Sequence, residues 1–238
     1  MRAWLDGLLA ILLAPACVSC SRTLPSPTRG CVCEHCWHRL DRLVPPLCAR
    51  CGEPAVPGPA ALHACAHDRG HFRALSAVRA VGPHDGVLRD LVHALKYDGR
   101  RSLARPLGAL MREAAEPLVQ ASQACVPVPL HPSRRRERGF NQAADLARHL
   151  GLPVVHALRR TRRTETQTSL PAPDRHANVT GAFAVTRRAA VLRGSQVLLV
   201  DDVRTTGATL EACAQALREA GVGEVCAVTA ARAALPRA

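Results

Sequence analysis

Residues 197–213, VLLVDDVRTTGATLEAC, constrain the fold more than any other stretch of the chain. An apolar run of strand length leads into two adjacent acids, then small hydroxyl residues around one glycine, then an amphipathic segment. This order predicts a buried strand over 196–202, a turn, and a helix over 209–220. In an open α/β sheet such a turn lies at the carboxyl end of a strand, where ligands bind.

The chain beyond about residue 72 repeats this alternation. Apolar runs predict strands at 74–81, 125–130 and 224–230. Amphipathic segments predict helices at 86–97, 102–119 and 141–150. Strands separated by helices imply parallel pairing, so we predict an α/β fold with a mostly parallel sheet flanked by helices. The polar stretch 159–188 fits a long loop or an irregular hairpin.

The segment before residue 73 has a different composition, because eight of the eleven cysteines lie between Cys17 and Cys65. Most form C-x-x-C pairs, a spacing that suits two thiolates on one zinc ion. We therefore divide the chain into a zinc-binding segment with a leading helix, residues 1–72, and an α/β domain, residues 73–238. Disulfides or redox thiols are the alternative for these cysteines.

Two structural zinc sites are predicted from the pairs. The first would use Cys17, Cys20, Cys33 and Cys36, with Cys31 as an alternative to Cys33. The second would use Cys48, Cys51 and Cys65, and its fourth ligand is open: His67 and His63 are candidates, Asp68 less so. Cys125, Cys213 and Cys226 fall in predicted core elements and are expected to be small hydrophobic residues.

An apolar run over residues 8–16 resembles a signal peptide that ends near Cys17. The run is short and Cys17 is also half of a C-x-x-C pair, so a short helix leading into a metal site explains it as well. No other segment approaches the roughly 20 apolar residues that a membrane span needs. Cysteines used as metal ligands indicate a reducing compartment, and we predict a cytoplasmic protein without a transmembrane segment.

The chain is strongly basic, with a net charge of +13 from 32 Lys+Arg against 19 Asp+Glu. Lys96 is the only lysine, so nearly all of the positive charge is arginine, the better planar partner for phosphate. Arginine enrichment by the codon usage of a GC-rich genome is the alternative. The charge favours phosphate ligands without identifying one.

The two acids and the TTGAT turn together predict a ligand that carries both a phosphate and neutral hydroxyl groups. Backbone N–H groups and threonine hydroxyls at a helix start can bind a phosphate monoester. Asp201 and Asp202 would repel that phosphate, so they are better placed to accept hydrogen bonds from neutral hydroxyls nearby, as in a ribose 5-phosphate. Helix capping by Asp202 or one threonine would explain a single residue of the pattern, but not all of them.

A second basic segment, PVPLHPSRRRERGFNQ, precedes the helix predicted at 141–150. Its arginines could hold another polyanion such as pyrophosphate, and a solvated basic helix entry is the alternative. Lys96, in HALKYDG, ends the helix predicted at 86–97. Phosphate contact and helix C-capping explain this lysine equally well.

The acid pair and its turn resemble the phosphoribosyl pyrophosphate (PRPP) signature of type I phosphoribosyltransferases. Together with the paired cysteines, HALKYDG, the basic segment and RRTETQTSLPAPDRHANVTGAF, they resemble the ComF family over nearly the whole chain. That family is phosphoribosyltransferase-like and is associated with competence and DNA uptake. Its pattern has another C-x-x-C where this chain has Cys65-Ala-His-Asp68.

The resemblance implies roles for individual residues. Asp201 and Asp202 would bind the ribose hydroxyls and support catalysis, and PRPP would also contact Val203, Arg204, Thr205, Thr206, Gly207, Ala208 and Thr209. Pyrophosphate and loop contacts would come from Lys96, His131, Arg134, Arg138, Asn141 and Gln142. A loop over the site would carry the family residues Thr164, Gln167, Leu170, Arg175, Asn178 and Phe183.

The function expected from this resemblance is PRPP-dependent pentosyl transfer to an unknown acceptor, with Mg²⁺ arriving with the pyrophosphate. Carboxylates near the ribose carbon would favour its oxocarbenium-like transition state. The alternatives are a catalytically silent nucleotide- or single-stranded-DNA-binding accessory, and a regulator that senses PRPP. The sequence indicates neither the oligomeric state nor a partner protein.

Overall fold

The structure, a computed structural model, describes residues 15–26, 28, 30–55, 65, 72–162 and 181–233. Its main sheet has four strands in the order β1-β6-β5-β2, and every pairing in it is parallel. These strands are β1 Val78–Pro83, β2 Ala124–Pro127, β5 Gln196–Arg204 and β6 Glu224–Arg232. A separate antiparallel pair consists of β3 Leu158–Arg160 and β4 Phe183–Val185. The predicted α/β class with a mostly parallel sheet is confirmed.

Helices flank this sheet. They are α1 Glu34–His38, α2 Gly86–Tyr97, α3 Ala104–Ala114, α4 Glu116–Ala121, α5 Pro132–Arg138, α6 Gln142–Ala147 and α7 Ala208–Glu219. Single 3₁₀ segments span Arg101–Leu103 and Arg187–Leu192. The α2 bounds match the predicted 86–97, and its N-cap is Asp85, whose carboxylate accepts a hydrogen bond from the Gly86 N–H.

Several predicted elements differ in extent, two of them for a clear physical reason. The helix expected over 102–119 divides at Ala115, because Pro117 has no N–H to continue the hydrogen-bond ladder and instead opens α4. The strand expected from residue 74 begins only at Val78. Its early N–H groups are used elsewhere, since those of Ala74 and Leu75 donate to the Glu211 carboxylate.

Side chains of the central strand β5 alternate between two hydrophobic layers. Leu198 and Val200 join buried residues of α2 and α3 on one face. Val197 and Leu199 join buried residues of α7 on the other. Buried Leu24, Val32 and Leu40, from the cysteine-rich segment, extend the first layer, so that segment packs on the sheet domain.

The remaining sequence expectations have mixed outcomes. Cys125, Cys213 and Cys226 are buried in the core as predicted. Residues 1–14, where the leading helix was expected, lie outside the described residues, and the division at residue 72 stays a prediction. Within the described part of the chain, no helix has the length and apolar character needed to cross a membrane.

Candidate functional site

The two adjacent acids lie inside β5, which continues beyond its predicted end at residue 202 to Arg204. Because side chains alternate along a strand, Asp201 and Asp202 leave the sheet on opposite faces. Asp202 meets Lys96 of α2. Asp201 lies on the α7 face, where its charge acts on Cys213.

Asp202 forms a buried ion pair with the only lysine of the chain. Lys96 Nζ is 2.8 Å from Asp202 Oδ1, and their side chains are 19% and 6% exposed. Burial lowers the pKa of Lys96, but the charge and hydrogen bond of Asp202, with the charge of Asp201, together raise it by more, so the ammonium stays charged. Asp202 Oδ2 is buried and has no hydrogen-bond partner among the described residues.

Asp201 titrates near neutral pH. Burial, followed by the neighbouring Asp202 charge, raises its pKa to about 7, although the Asp202 N–H and the charges of Lys96 and Arg160 oppose that shift. The Asp202 N–H donates to Asp201 Oδ1 over 2.9 Å. With Asp202 neutralised by Lys96 and Asp201 partly protonated, the acid pair repels a nearby phosphate less than two free carboxylates would.

The turn after β5 has the predicted strand–turn–helix geometry. Gly207 precedes α7 with a φ of +85°, a left-handed conformation that favours glycine. Thr206 Oγ1 accepts a hydrogen bond from the Ala208 N–H over 3.4 Å. Within the described chain, no backbone carbonyl accepts from the N–H groups of Thr206 or Gly207. These donors therefore remain for an anion at the positive end of α7.

The chain that follows the second cysteine group covers this turn. A Cβ atom on Gly207 would lie 2.3 Å from Cε1 of Phe72, so the ring packs directly on the glycine. The Phe72 ring also lies under the Arg204 guanidinium, 5.9 Å from centroid to Cζ. Next in the chain, the N–H groups of Arg73, Ala74 and Leu75 all donate to the Glu211 carboxylate in the first turn of α7.

Glu53 ties the second cysteine group to the same end of the sheet. Its Oε1 lies 2.6 Å from Nη2 of Arg204, and its Oε2 lies 2.8 Å from Nη1 of Arg232. Arg204 and Arg232 are paired neighbours on β5 and β6. One carboxylate two residues after Cys51 thus holds the last residues of two central strands.

The basic segment folds as α5, a helix that the sequence analysis did not predict. His131 Nδ1 accepts from the Ser133 N–H at its start, and Asn141 Oδ1 accepts from the Ala143 N–H at the start of α6. Arg138 Nη1 donates to Gln142 Oε1 over 2.8 Å. Three of the predicted polyanion contacts, those of His131, Asn141 and Gln142, therefore already have intramolecular partners.

Arg138 and Arg134 are each connected to the acid pair through intervening residues. Arg138 stacks on Tyr97, which follows Lys96 in α2, with its Cζ 5.1 Å from the ring centroid. Burial lowers the pKa of Arg160, and the nearby positive charge of Arg134 lowers it further. Arg160 in turn lies near Asp201. Of the predicted cations, Lys96 contacts the acid pair directly, and Arg138 and Arg134 lie beside its neighbours Tyr97 and Arg160.

The cysteine pairs form two clusters. The Sγ atoms of Cys17, Cys20, Cys33 and Cys36 all lie within 4.8 Å of one another, as do those of Cys48, Cys51 and Cys65. Cys20 and Cys33 are 3.7 Å apart, as are Cys48 and Cys65. Sulfurs on a tetrahedral zinc with Zn–S bonds of about 2.3 Å are separated by roughly 3.8 Å, so the donor sets fit the metal.

The thiols of the first cluster differ in pKa. Burial alone would raise the pKa of Cys17, but backbone N–H groups of Cys33, Cys20 and Ser19 point at its sulfur and lower it to about 6. Burial and the neighbouring cysteines raise the pKa of Cys36 to about 12. Cys31 lies outside the cluster, so Cys33 occupies the position that the sequence left open. His63, His67 and Asp68 lie outside the described residues, as do Thr164, Gln167, Leu170, Arg175 and Asn178.

Several site residues were not found from the sequence. Glu53, Phe72, Arg232 and Glu211 belong to no spacing pattern, and each meets the site through a contact distant in sequence. Phe72 carried a weak signal as one of only three phenylalanines in the chain. Phe183, expected in the covering loop, lies in β4 beneath the Arg160 guanidinium, 5.3 Å from Cζ to the ring centroid.

Two known families match separate parts of the chain. The phosphoribosyl transferase domain matches residues 136–236, which contain β5, the turn and α7. The double zinc ribbon domain matches residues 8–67, which contain both cysteine clusters. The clusters and the ribbon match together support structural zinc.

Similar proteins cover most of the chain. Competence protein F of Haemophilus influenzae is 30% identical over 219 residues, which are 88% of this chain and 93% of that protein. The DNA utilization protein YhgH of Escherichia coli is 31% identical over 82% of this chain and 87% of its own length. Competence protein ComFC of Bacillus subtilis is 28% identical over 80% of this chain and 79% of its own.

Proposed function

The chain belongs to the ComF family of phosphoribosyltransferase-like proteins, with competence protein F and YhgH, and from this premise we propose that it binds PRPP at the end of β5. Asp201 and Asp202 would accept hydrogen bonds from the ribose hydroxyls. The turn Thr205–Thr209 would bind the 5-phosphate, with Val203 and Arg204 supporting its position. Like its relatives, the protein would act in competence or DNA utilisation.

One observation carries this proposal. Asp202 Oδ2 is a buried acceptor without a partner among the described residues, and a few residues later in the chain the N–H groups of Thr206 and Gly207 have no backbone acceptor in the described chain. Buried polar atoms are nearly always hydrogen-bonded, so this oxygen calls for a donor supplied by a ligand. A sugar with a hydroxyl and a phosphate a few ångströms apart meets both needs.

The cations around β5 would take the pyrophosphate. Arg134 and Arg138 are the best placed of the predicted contacts, while Lys96 would act by holding Asp202 in position. His131, Asn141 and Gln142 would shape the loop through their helix caps and the Arg138 contact. Mg²⁺ would bind oxygens of the pyrophosphate and neutralise charge on it as it leaves.

Zinc would be structural. Cys17, Cys20, Cys33 and Cys36 would hold one ion, and Cys48, Cys51 and Cys65 with His67 the other. Closed thiolate sites stabilise small segments that lack a core of their own. Unoxidised thiol ligands suit a reducing environment, which supports a cytoplasmic location.

Calorimetric titration with PRPP and Mg²⁺ tests the site. Asp202→Asn should weaken PRPP binding about tenfold or more, because a charged acceptor contributes roughly 1.5–3 kcal/mol. Glu219→Gln removes an exposed carboxylate at the opposite end of α7 from the turn and should leave the affinity unchanged. Absence of PRPP binding to the wild type at millimolar concentration would overturn the proposal. Pyrophosphate release measured against a panel of bases then decides whether the protein turns over.

A nucleotide- or single-stranded-DNA-binding accessory without turnover is the second candidate, supported by the net charge of +13. Its affinity for single-stranded DNA should fall steeply as salt rises, because each phosphate contact releases counterions. DNA binding that is absent at low salt would exclude it.

A further inference from the structure

A cavity of about 670 Å³ opens beside the edge strand β2. It lies between the residues that follow β2, helix α6, and the 3₁₀ segment Arg187–Leu192. Residues 201–209 contribute nothing to its lining among the described residues, although Asn141, one of the predicted pyrophosphate contacts, belongs to it. Its size is that of a small-molecule site.

The wall of this cavity is unusually cationic. Its five arginines are Arg101, Arg135, Arg148, Arg187 and Arg188, and we call it the arginine cavity. Asp145 is the one acidic side chain in the described lining. Arginine is the side chain best suited to hold phosphate groups in a planar, bidentate fashion.

Asp145 is already satisfied and orients part of this wall. Its side chain is 7% exposed, and its two oxygens accept from Arg101 Nε at 2.7 Å and Arg101 Nη2 at 3.0 Å. Arg148 also bonds to Asp145 Oδ1. Arg101 stacks on Phe140, with Cζ 5.3 Å from the ring centroid. Two of the five arginines are thus fixed in place before any ligand arrives.

The other three arginines, Arg135, Arg187 and Arg188, have no carboxylate partner in the described part of the chain. Burial lowers the pKa of His156 in the cavity wall, and Arg188, Arg148 and Arg135 each lower it further. The charges of Arg135 in α5, of Arg148 directly after α6 and of Arg188 in the 3₁₀ segment therefore all act on His156. Pro129, Leu130 and Leu158 add an apolar surface beside them.

We propose that the arginine cavity is a second ligand site that binds a nucleotide through its phosphate groups. Arg135, Arg187 and Arg188 would contact the phosphates, and Arg101 and Arg148 would complete the positive wall. The sugar or base would lie against the apolar surface. The site shares Asn141 and helix α5 with the proposed pyrophosphate loop but none of residues 201–209, and its nucleotide can come from free nucleoside triphosphates or from a DNA strand.

Titration of the full-length, zinc-loaded protein with thymidine triphosphate tests the site. Arg187→Ala/Arg188→Ala should weaken binding about tenfold or more, since each arginine supplies charge-assisted hydrogen bonds. The matched control Arg193→Ala/Arg218→Ala removes two exposed arginines outside the cavity lining and should change the affinity less than twofold. Arg135→Ala provides a second cavity variant on a different helix.

Two further measurements distinguish this site from the one at β5 and identify the source of the nucleotide. Asp202→Asn should retain thymidine triphosphate binding, so failure of PRPP binding leaves this test intact. Competition by a short single-stranded oligothymidylate below the triphosphate's own Kd would identify a strand as the ligand, and weaker competition a free nucleotide. Equal losses in the cavity and control double variants, or no triphosphate binding to the wild type, would overturn the proposal.

Discussion

Glu53 and Arg204 are joined by an ion pair of 2.6 Å, although they are 151 residues apart in the chain. Arg204 is 6% exposed and is the last residue before the phosphate-type turn, whereas Glu53 lies between Cys51 and Cys65 of the second cysteine cluster. The cysteine-rich segment therefore contributes directly to the position of the turn. Its role in this protein extends beyond its own stability.

Removing the Glu53 charge should destabilise the fold. Glu53→Gln leaves Arg204 and Arg232 without their anion, and we expect the free energy of unfolding to fall by about 2 kcal/mol, less than for a fully buried pair because Glu53 is 23% exposed. Urea unfolding measures the change. The control Glu113→Gln breaks an exposed pair with Arg42 and should cost less than about 1 kcal/mol. Equal losses of unfolding free energy in the two variants would mean that the Glu53 ion pairs stabilise the fold no more than an exposed pair does.

Adding one methyl group to Gly207 should disturb the turn. In Gly207→Ala the new Cβ would meet the Phe72 ring at 2.3 Å while the backbone holds a φ of +85°. Gly194→Ala has a similar φ of +70° and open space around the Cβ, so it isolates the backbone strain of about 1 kcal/mol. Thermal unfolding should show a larger loss for Gly207→Ala. A matching loss would show that Phe72 moves aside without cost.

Asp201 should make stability fall as pH rises. Its folded pKa is about 7 and its ordinary value 3.8, so between these values the folded protein binds a proton that the unfolded chain has released. The stabilising effect of that proton is fully present below pH 4 and is lost by pH 7. Asp201→Asn removes this dependence and should be more stable at pH 7.5 by on the order of 2–4 kcal/mol.

Unfolding free energies of wild type and Asp201→Asn measured from pH 4 to 8 provide the check. The two curves should converge at the acid end and diverge toward neutral pH. Curves that run parallel would place the carboxyl in an ordinary, solvated setting.

The cysteine clusters predict a selective loss of metal. Cys36→Ser removes a buried member of the first cluster and should lower the zinc content by one ion per chain, while Cys31→Ser, outside that cluster, should leave it unchanged. Metal analysis by mass spectrometry on purified protein measures both. A loss of zinc with Cys31→Ser but not with Cys36→Ser would reverse the ligand assignment.

Patterns that repeat along the chain were visible before the structure. The period of β5 and α7, and the Asp85 cap ahead of α2, come from neighbouring residues and could be predicted. Helix α5 could not, because PSRRRER offers no apolar face. The helical period of residues 102–119 predicted one helix, but the chain breaks at Ala115 because Pro117 outweighs the helix propensity of the residues around it.

The contacts that complete the site arise from packing. Nothing local to Glu53 indicates that it meets Arg204, and nothing local to Phe72 indicates that it covers Gly207. The pKa of Asp201 likewise depends on burial between strands and on Asp202, Lys96 and Arg160 together. The spacing of residues in the sequence predicted which side chains belong to the site, whereas their protonation and their partners depend on tertiary contacts.

Asp201 and Asp202 leave β5 on opposite faces of the sheet, so each acid lies on the same face as a different hydrophobic layer. Asp202 is attached through Lys96 to α2, and Asp201 faces α7. A sugar bound by both carboxylates would therefore be connected to α2 on one face of the sheet and to α7 on the other. Binding of the ligand would then slow amide hydrogen exchange in the helices on both faces of the sheet. The two hydrophobic layers would be stabilised together by one molecule bound at the end of β5.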